Sequence, residues 1–170
     1  LTGMKRNPNH DRVLATVLFT DIVASTERAA TLGDQKWKEL IAVHDDEIRK
    51  ALERYRGKEI RNTGDGILAI FDGPGRALHC AHAIRQAAHS LGLVIRAGLH
   101  TGEIEVMGNE LAGIAVHMGA RVMSLAGAGE IFVSSTVKDL VVGSGIEFTD
   151  QGLHVLKGVP DEWHLYSAIL

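Results

Sequence analysis

Residues 13–26 read VLATVLFTDIVAST and residues 62–71 read NTGDGILAIF, and the pairing of these two stretches decides the fold. In the first, an apolar, β-branched run over residues 13–20 predicts a buried strand. It ends in Asp21, a charge where packing alone would favour another Val or Ile. In the second, Thr63-Gly64-Asp65-Gly66 is turn chemistry between the strand-like KEIRN and ILAIF, which predicts a hairpin with Asp65 at its tip. A strand-end aspartate standing alone is usually a turn or cap residue. Two of them brought together by adjacent strands form an oxygen-rich site for a hard divalent cation. Mg²⁺ held by one or two carboxylates commonly offers its free positions to a nucleotide phosphate.

Outward from these stretches, strand and helix signals alternate. A helix-cap signal, Ser25-Thr26-Glu27, follows Asp21, and a long helical pattern spans residues 34–56 with Gly57 as its stop. Asp72-Gly73-Pro74-Gly75 breaks the chain before a second helix over residues 76–90, ended by Gly92. Strands are expected in LVIRAGLH and in EIEVM, a helix in LAGIAVHMGARVMSLA, and a strand in EIFVS. A short helix begun by Ser134-Ser135-Thr136 and closing strands in IEFTD and WHLYSAI complete the pattern. The order predicts an α/β (α+β) fold with a ferredoxin-like βαββαβ core and additional C-terminal strands and helix. Residues 1–12 are polar and read as a linker or cloning remnant, and residues 13–170 as a single domain, in keeping with one module of a longer protein.

Composition narrows the partners. A formal net charge of -3 argues against a general nucleic-acid binder, which is usually basic. No apolar stretch approaches the length of a membrane span, and the N-terminal residues lack a signal-peptide core. The one cysteine, Cys80, sits in a helical pattern as a small buried residue and suits a reducing cytosol, so a cytoplasmic location is expected. Nine histidines include His79 and His82 one turn apart, but no zinc spacing is present. His44, Asp45 and Asp46 read as a solvated helix face, and Trp37 and Trp163 as core or interface anchors.

FTDI, the TGDG hairpin, GLHTGE and ELAGIAVHMGAR together resemble the catalytic domain of class III nucleotide cyclases, in the actinobacterial or mycobacterial manner, from about residue 13 onward. The resemblance implies a head-to-tail homodimer with active sites at the interface, an inactive monomer, and a fused or upstream regulatory domain in signal transduction. It makes Asp21 and Asp65, with the backbone carbonyl of Ile22, ligands of two divalent cations, Mg²⁺ or Mn²⁺. Such cations polarise the ribose 3′-hydroxyl and neutralise the triphosphate. The turn Val23, Ala24, Ser25 and Thr26 opens a helix whose free N–H groups suit phosphate oxygens.

From the partner chain, the resemblance makes His117 and Arg121 the pair that orients the ribose and stabilises the transition state, and Lys157 a triphosphate ligand. Arg61 and Glu110 stand where adenylyl members place a lysine and an aspartate that read adenine. Their charges keep the pattern for ATP over GTP, although the two longer side chains either read the base or pair with each other. A hairpin slipped by one residue would present Asn62 instead. The implied activity is that of an adenylyl cyclase, a phosphorus–oxygen lyase converting ATP to 3′,5′-cyclic AMP and pyrophosphate. The alternatives are a weak or inactive regulatory domain and a guanylyl or mixed-specificity cyclase.

Overall fold

The computed structural model describes residues 10–170. Most of the expected N-terminal linker, residues 1–9, lies outside the described residues. The chain runs β1 (His10–Ile22), α1 (Ser25–Leu32), α2 (Asp34–Tyr55), β2 (Lys58–Asn62), β3 (Gly66–Phe71), α3 (Pro74–Ser90), β4 (Ile95–Met107) and β5 (Glu110–Ala112). It continues through α4 (Ile114–Leu125), β6 (Ile131–Ser134), α5 (Ser135–Leu140), β7 (Glu147–Val155) and β8 (Glu162–Ile169). One sheet takes the order β2-β3-β1-β4-β6-β8-β7, with β5 paired to β4. The β4–β6 pairing is parallel and the others are antiparallel. This is the expected ferredoxin-like βαββαβ core, with α1 and α2 sharing the first crossover and the remaining elements appended. Among the described residues, no helix is long and apolar enough to cross a membrane.

Alternation along the central strands sorts the side chains between two faces. Leu18 and Ile22 of β1, Ile67, Ala69 and Phe71 of β3, and Ile95, Ala97 and Leu99 of β4 form one core with α2 and α3. Ala15 and Val17 of β1, Leu68 of β3 and Ile104 of β4 face the other way, towards Ala115 of α4. Helix α4 lies close against the sheet because β4 carries Gly98 beneath it: a Cβ there would stand 2.2 Å from the Met123 backbone nitrogen.

Several expected boundaries move, for identifiable reasons. LVIRAGLH and EIEVM are parts of one thirteen-residue strand, β4. Thr101-Gly102 makes no turn, because Ala15 pairs with Gly102 and the Thr16 and Thr101 hydroxyls hydrogen-bond at 2.7 Å across the strands. The helix expected from residue 111 begins at Ile114, since residues 110–112 pair back onto β4 as β5. Helix α2 is stopped by Arg56 in the left-handed region, at φ 60°, while Gly57 is small because Phe71 packs on it. His44 is not on a solvated face: it is buried in α2, and neighbouring Asp45 accepts a hydrogen bond from Asn62. Trp37 and Trp163 do pack against the cores, and Cys80 is fully buried.

Two buried imidazoles give the fold an acid limit. His100 lies on β4 between Ser134, 2.7 Å from its Nδ1, and the edge of Trp163, and burial pushes its pKa down to about 4. Burial also lowers the pKa of His44. The unfolded chain then binds more protons than the folded one, so stability is fully present above about pH 6.5 and is lost as pH falls towards 4. For His100 the loss reaches about 3 kcal/mol. Urea unfolding at pH 7.5, 5.5 and 4.5 is expected to show this fall, and His100→Asn to flatten it. Gly98→Ala is expected to cost the upper end of the about 1–3 kcal/mol typical of overpacking, read from the same unfolding curves.

Candidate active site

Asp21 is the penultimate residue of β1, flanked across the sheet by Gly66 on β3 and Arg96 on β4. Its position in the alternation places it on the α4 face with Val17. Asp65 closes the β2–β3 turn, in which Thr63 N–H donates to the Gly66 carbonyl at 2.9 Å. The Ile22 N–H donates to the Asp65 carbonyl at 2.8 Å, so the hairpin tip is fastened to the end of β1. Both acids consequently line one polar cleft of about 370 Å³, walled by residues 22–27, Arg96, Ala126 and Ala128.

The turn after β1 differs from a simple cap. Ala24 takes the left-handed conformation at φ 56°, and no side chain caps α1. The Ser25 hydroxyl instead donates to Asp65 Oδ2 at 3.0 Å, and Thr63 Oγ1 reaches Asp65 Oδ1 at 3.3 Å. First-turn N–H groups of a helix have no intrahelical acceptor, and those of α1 border the cleft that holds both carboxylates.

Arg96 and Thr63 are the participants that sequence reasoning missed. Arg96 Nη2 lies 3.1 Å from Asp21 Oδ2, while Nη1 donates to the Ser124 carbonyl at the end of α4. The signal for Arg96 was the register alone, which is invisible until β1 and β4 are aligned. Among the described residues, no group of three or more His, Cys, Asp or Glu side chains is placed to hold a metal ion. The donor set is two carboxylates with hydroxyl and carbonyl oxygens nearby. That suits Mg²⁺ or Mn²⁺ sharing its coordination with water and phosphate rather than a protein-saturated cage, and the guanidinium on Asp21 marks where a cation is stabilised.

Alternation separates Arg61 from Asn62. Arg61 pairs with Leu68 and so faces α4, where it lines a 160 Å³ pocket with Asp21, Asp65, Phe19 and Met123. Asn62 pairs with Ile67 on the opposite face, and its amide donates to Asp45. Glu110, the first residue of β5, pairs with Met107 of β4 and is exposed. Among the described residues, no ion pair joins it to Arg61.

His117 and Arg121 lie one turn apart on α4. His117 Nε2 is 2.7 Å from the Lys157 carbonyl, and the Lys157 side chain is exposed. The Arg121 Nε is shut off from solvent and has no hydrogen-bond acceptor among the described residues. Among the described residues, no side-chain hydrogen bond or ion pair runs from Asp21 or Asp65 to His117, Arg121 or Lys157. The expected site residues therefore fall into two groups within one chain.

The family model for the adenylate and guanylate cyclase catalytic domain matches residues 7–168, and the chain belongs to that family. Members of the class generally use divalent metal ions. A Rhizobium meliloti protein provisionally named adenylate cyclase 3 is 28% identical over 92% of this chain. The chain spans 28% to 53% of the length of the first curated relatives that it matches. In structure it resembles the adenylyl cyclase CyaB from Pseudomonas aeruginosa, with a TM-score of 0.87, 23% identity and coverage of 94% of this chain and 95% of that one. It also resembles the guanylate cyclase domain of RhGC from Catenaria anguillulae in complex with GTP, with a TM-score of 0.84, 19% identity and coverage of 94% and 98%. The fold is thus shared by adenylyl and guanylyl enzymes.

The Arg96–Asp21 contact predicts competition between an internal cation and an added one. Half-exposed pairs of this kind are worth up to about 1 kcal/mol. Mn²⁺ binding without nucleotide, followed by the electron paramagnetic resonance of the free ion, is expected to tighten by up to about fivefold in Arg96→Ala.

Proposed function

We propose that the chain is an adenylyl cyclase domain that converts ATP to 3′,5′-cyclic AMP and pyrophosphate in a head-to-tail homodimer. The observation that carries this reading is the division of the site into two groups. One holds the carboxylates and the phosphate-facing turn, the other holds a cationic helix face with a donor lacking an acceptor. Each group is half of what the reaction needs, and a two-fold axis supplies both halves twice.

Asp21, Asp65 and the Ile22 carbonyl would hold the divalent cations. When bound, Mg²⁺ or Mn²⁺ supplies Lewis acidity to the ribose 3′-hydroxyl and neutralises the triphosphate. The N–H groups of Val23, Ala24, Ser25 and Thr26 would take phosphate oxygens, and Arg96 would turn from Asp21 to the same anion. Across the interface, Arg121 would place a permanently charged fork beside the reacting α-phosphate, where it gains strength as charge develops, with His117 one turn before it on α4. Lys157 would hold the outer phosphates.

Arg61 lines the pocket next to the acids, and as a donor it matches adenine N1, while a carboxylate at Glu110 accepts from the N6 amino group. These signs favour ATP. A mixed-specificity cyclase is the second reading, because among the described residues no ion pair joins Arg61 to Glu110 and a longer pair discriminates less tightly. The single buried Cys80 suits a cytoplasmic enzyme. The span of the relatives supports attached regulatory modules beside a catalytic domain at residues 13–170.

Incubation of the purified dimer with ATP or GTP and Mg²⁺ or Mn²⁺ is expected to yield cyclic AMP, identified by mass, and Asp21→Ala to abolish it with the dimer intact. A confirmed dimer that forms no cyclic product would overturn the reading. An equal mixture of Asp21→Ala and Arg121→Ala chains is expected to regain about a quarter of the native activity, since half the dimers are mixed and each holds one competent site. Well-folded mixed dimers without activity would count against shared sites.

A further inference from the structure

The Lys157 turn is built around His117. Residues 156–159 form a tight turn in which the Val159 N–H donates to the Leu156 carbonyl at 2.9 Å. Leu156 and Val159 are buried with Met118 and Val122 of α4, so both feet of the turn are anchored on the helix that carries His117. Between them, Gly158 has φ +81°, and a Cβ there would stand 2.8 Å from His117 Nε2. The imidazole therefore occupies the space a side chain at 158 would need, and it meets the Lys157 carbonyl at 2.7 Å.

A carbonyl oxygen only accepts, so Nε2 carries the proton of this hydrogen bond. In the neutral ring Nδ1 is then a bare acceptor. The donor that the resemblance would offer to the ribose is already committed inside the chain. We infer that His117 is a positioning residue that acts through Lys157: its Nε2–H fixes the turn that presents the Lys157 ammonium to the triphosphate. This assignment rests on the nucleotide-binding site proposed above. Three observations point the same way: the committed Nε2–H, the glycine required at 158 and the two buried feet of the turn. The turn stands as a rigid arm rather than a free loop, and an ammonium on a flexible stem gains most from a fixed root.

A double-mutant cycle on equilibrium binding of a non-cyclisable ATP analogue with Ca²⁺ tests this without relying on turnover. His117→Ala and Lys157→Ala are each expected to weaken binding by about tenfold, the scale of one charge-assisted phosphate contact. The double variant is expected to be no weaker than Lys157→Ala, and AMP binding, which lacks the outer phosphates, to be unchanged in all three. His117→Gln, which keeps a donor of similar reach, should recover most of the loss. Gly158→Ala should reproduce it from the other side of the contact. All variants are compared at matched thermal stability. In turnover, His117→Ala should raise KM more than it lowers kcat.

Losses that multiply to about a hundredfold, or a His117→Ala that retains native triphosphate affinity, would overturn the assignment while leaving the proposed function standing. A native chain that binds no nucleotide would overturn the proposed function and this assignment with it. Long-range nitrogen–proton spectra of the imidazole give an independent readout: an Nε2–H tautomer is expected for the neutral ring, and an Nδ1–H tautomer contradicts the brace.

Discussion

The antiparallel pairing of β1 with both β3 and β4 is the constraint from which the rest follows. Thirteen residue pairs join β1 to β4, running from His10 with Met107 to Ile22 with Ile95, and six join it to β3. This double pairing leaves Asp21 no freedom of address. Its carboxylate must emerge beside Gly66 and Arg96 on the α4 face, because a slip of one residue would turn every β1 side chain to the wrong core. Burying Val17 and Leu18 on opposite faces thus fixes the position of a charge several residues away. The fold's apolar pattern is in this sense also the site's coordinate system.

The same geometry accounts for the electrostatics of the cleft. Two carboxylates near one another repel, and the chain offsets this with groups drawn from three different elements. Arg96 on β4 faces Asp21, while the hydroxyls of Ser25 on α1 and Thr63 in the hairpin point at Asp65. None of these partners is permanent in the way that a buried network is. Asp65 is exposed, and the Arg96–Asp21 pair retains partial solvent access. Interactions of this strength hold a site in order and still yield to a doubly charged ion.

The strand ending in Asp21 and the hairpin holding Asp65 were legible in the sequence because hydrophobic alternation and glycine-rich turns are local signals. What was not legible depended on register. Arg96 reads as an ordinary polar residue in LVIRAGLH until β1 is laid beside it. The choice between Arg61 and Asn62 is a choice of sheet face that no local pattern settles. His44 misled because the helix carrying it is polar around much of its circumference, and only the packing of α2 reveals which side is inward. Residues 110–112 misled in the opposite sense: Leu111 fits helical spacing, but pairing with Val106 draws it into a strand. In each case a tertiary partner outweighed a local propensity.

The distribution of charge between the two groups bears on how copies of the chain meet. The carboxylate group has Arg96 on Asp21, with Arg61 lining the same pocket. The α4 group has Arg121 and Lys157, whose charges no acid neutralises by an ion pair among the described residues. An arrangement that brought two α4 groups together would oppose cation to cation. One that brought two carboxylate groups together would do the same with anions. A head-to-tail approach would set each pair of carboxylates against a cationic group, and a polyphosphate with its counter-ions would fit between them as the mediating charge. Complementarity of this kind selects orientation and speeds encounter more than it adds affinity. The apolar side chains left exposed on α4, Ile114 and Leu125, stand at the two ends of the helix that bears Arg121. They would supply the area that charge alone does not, so orientation and adhesion in such a pair would come from different residues.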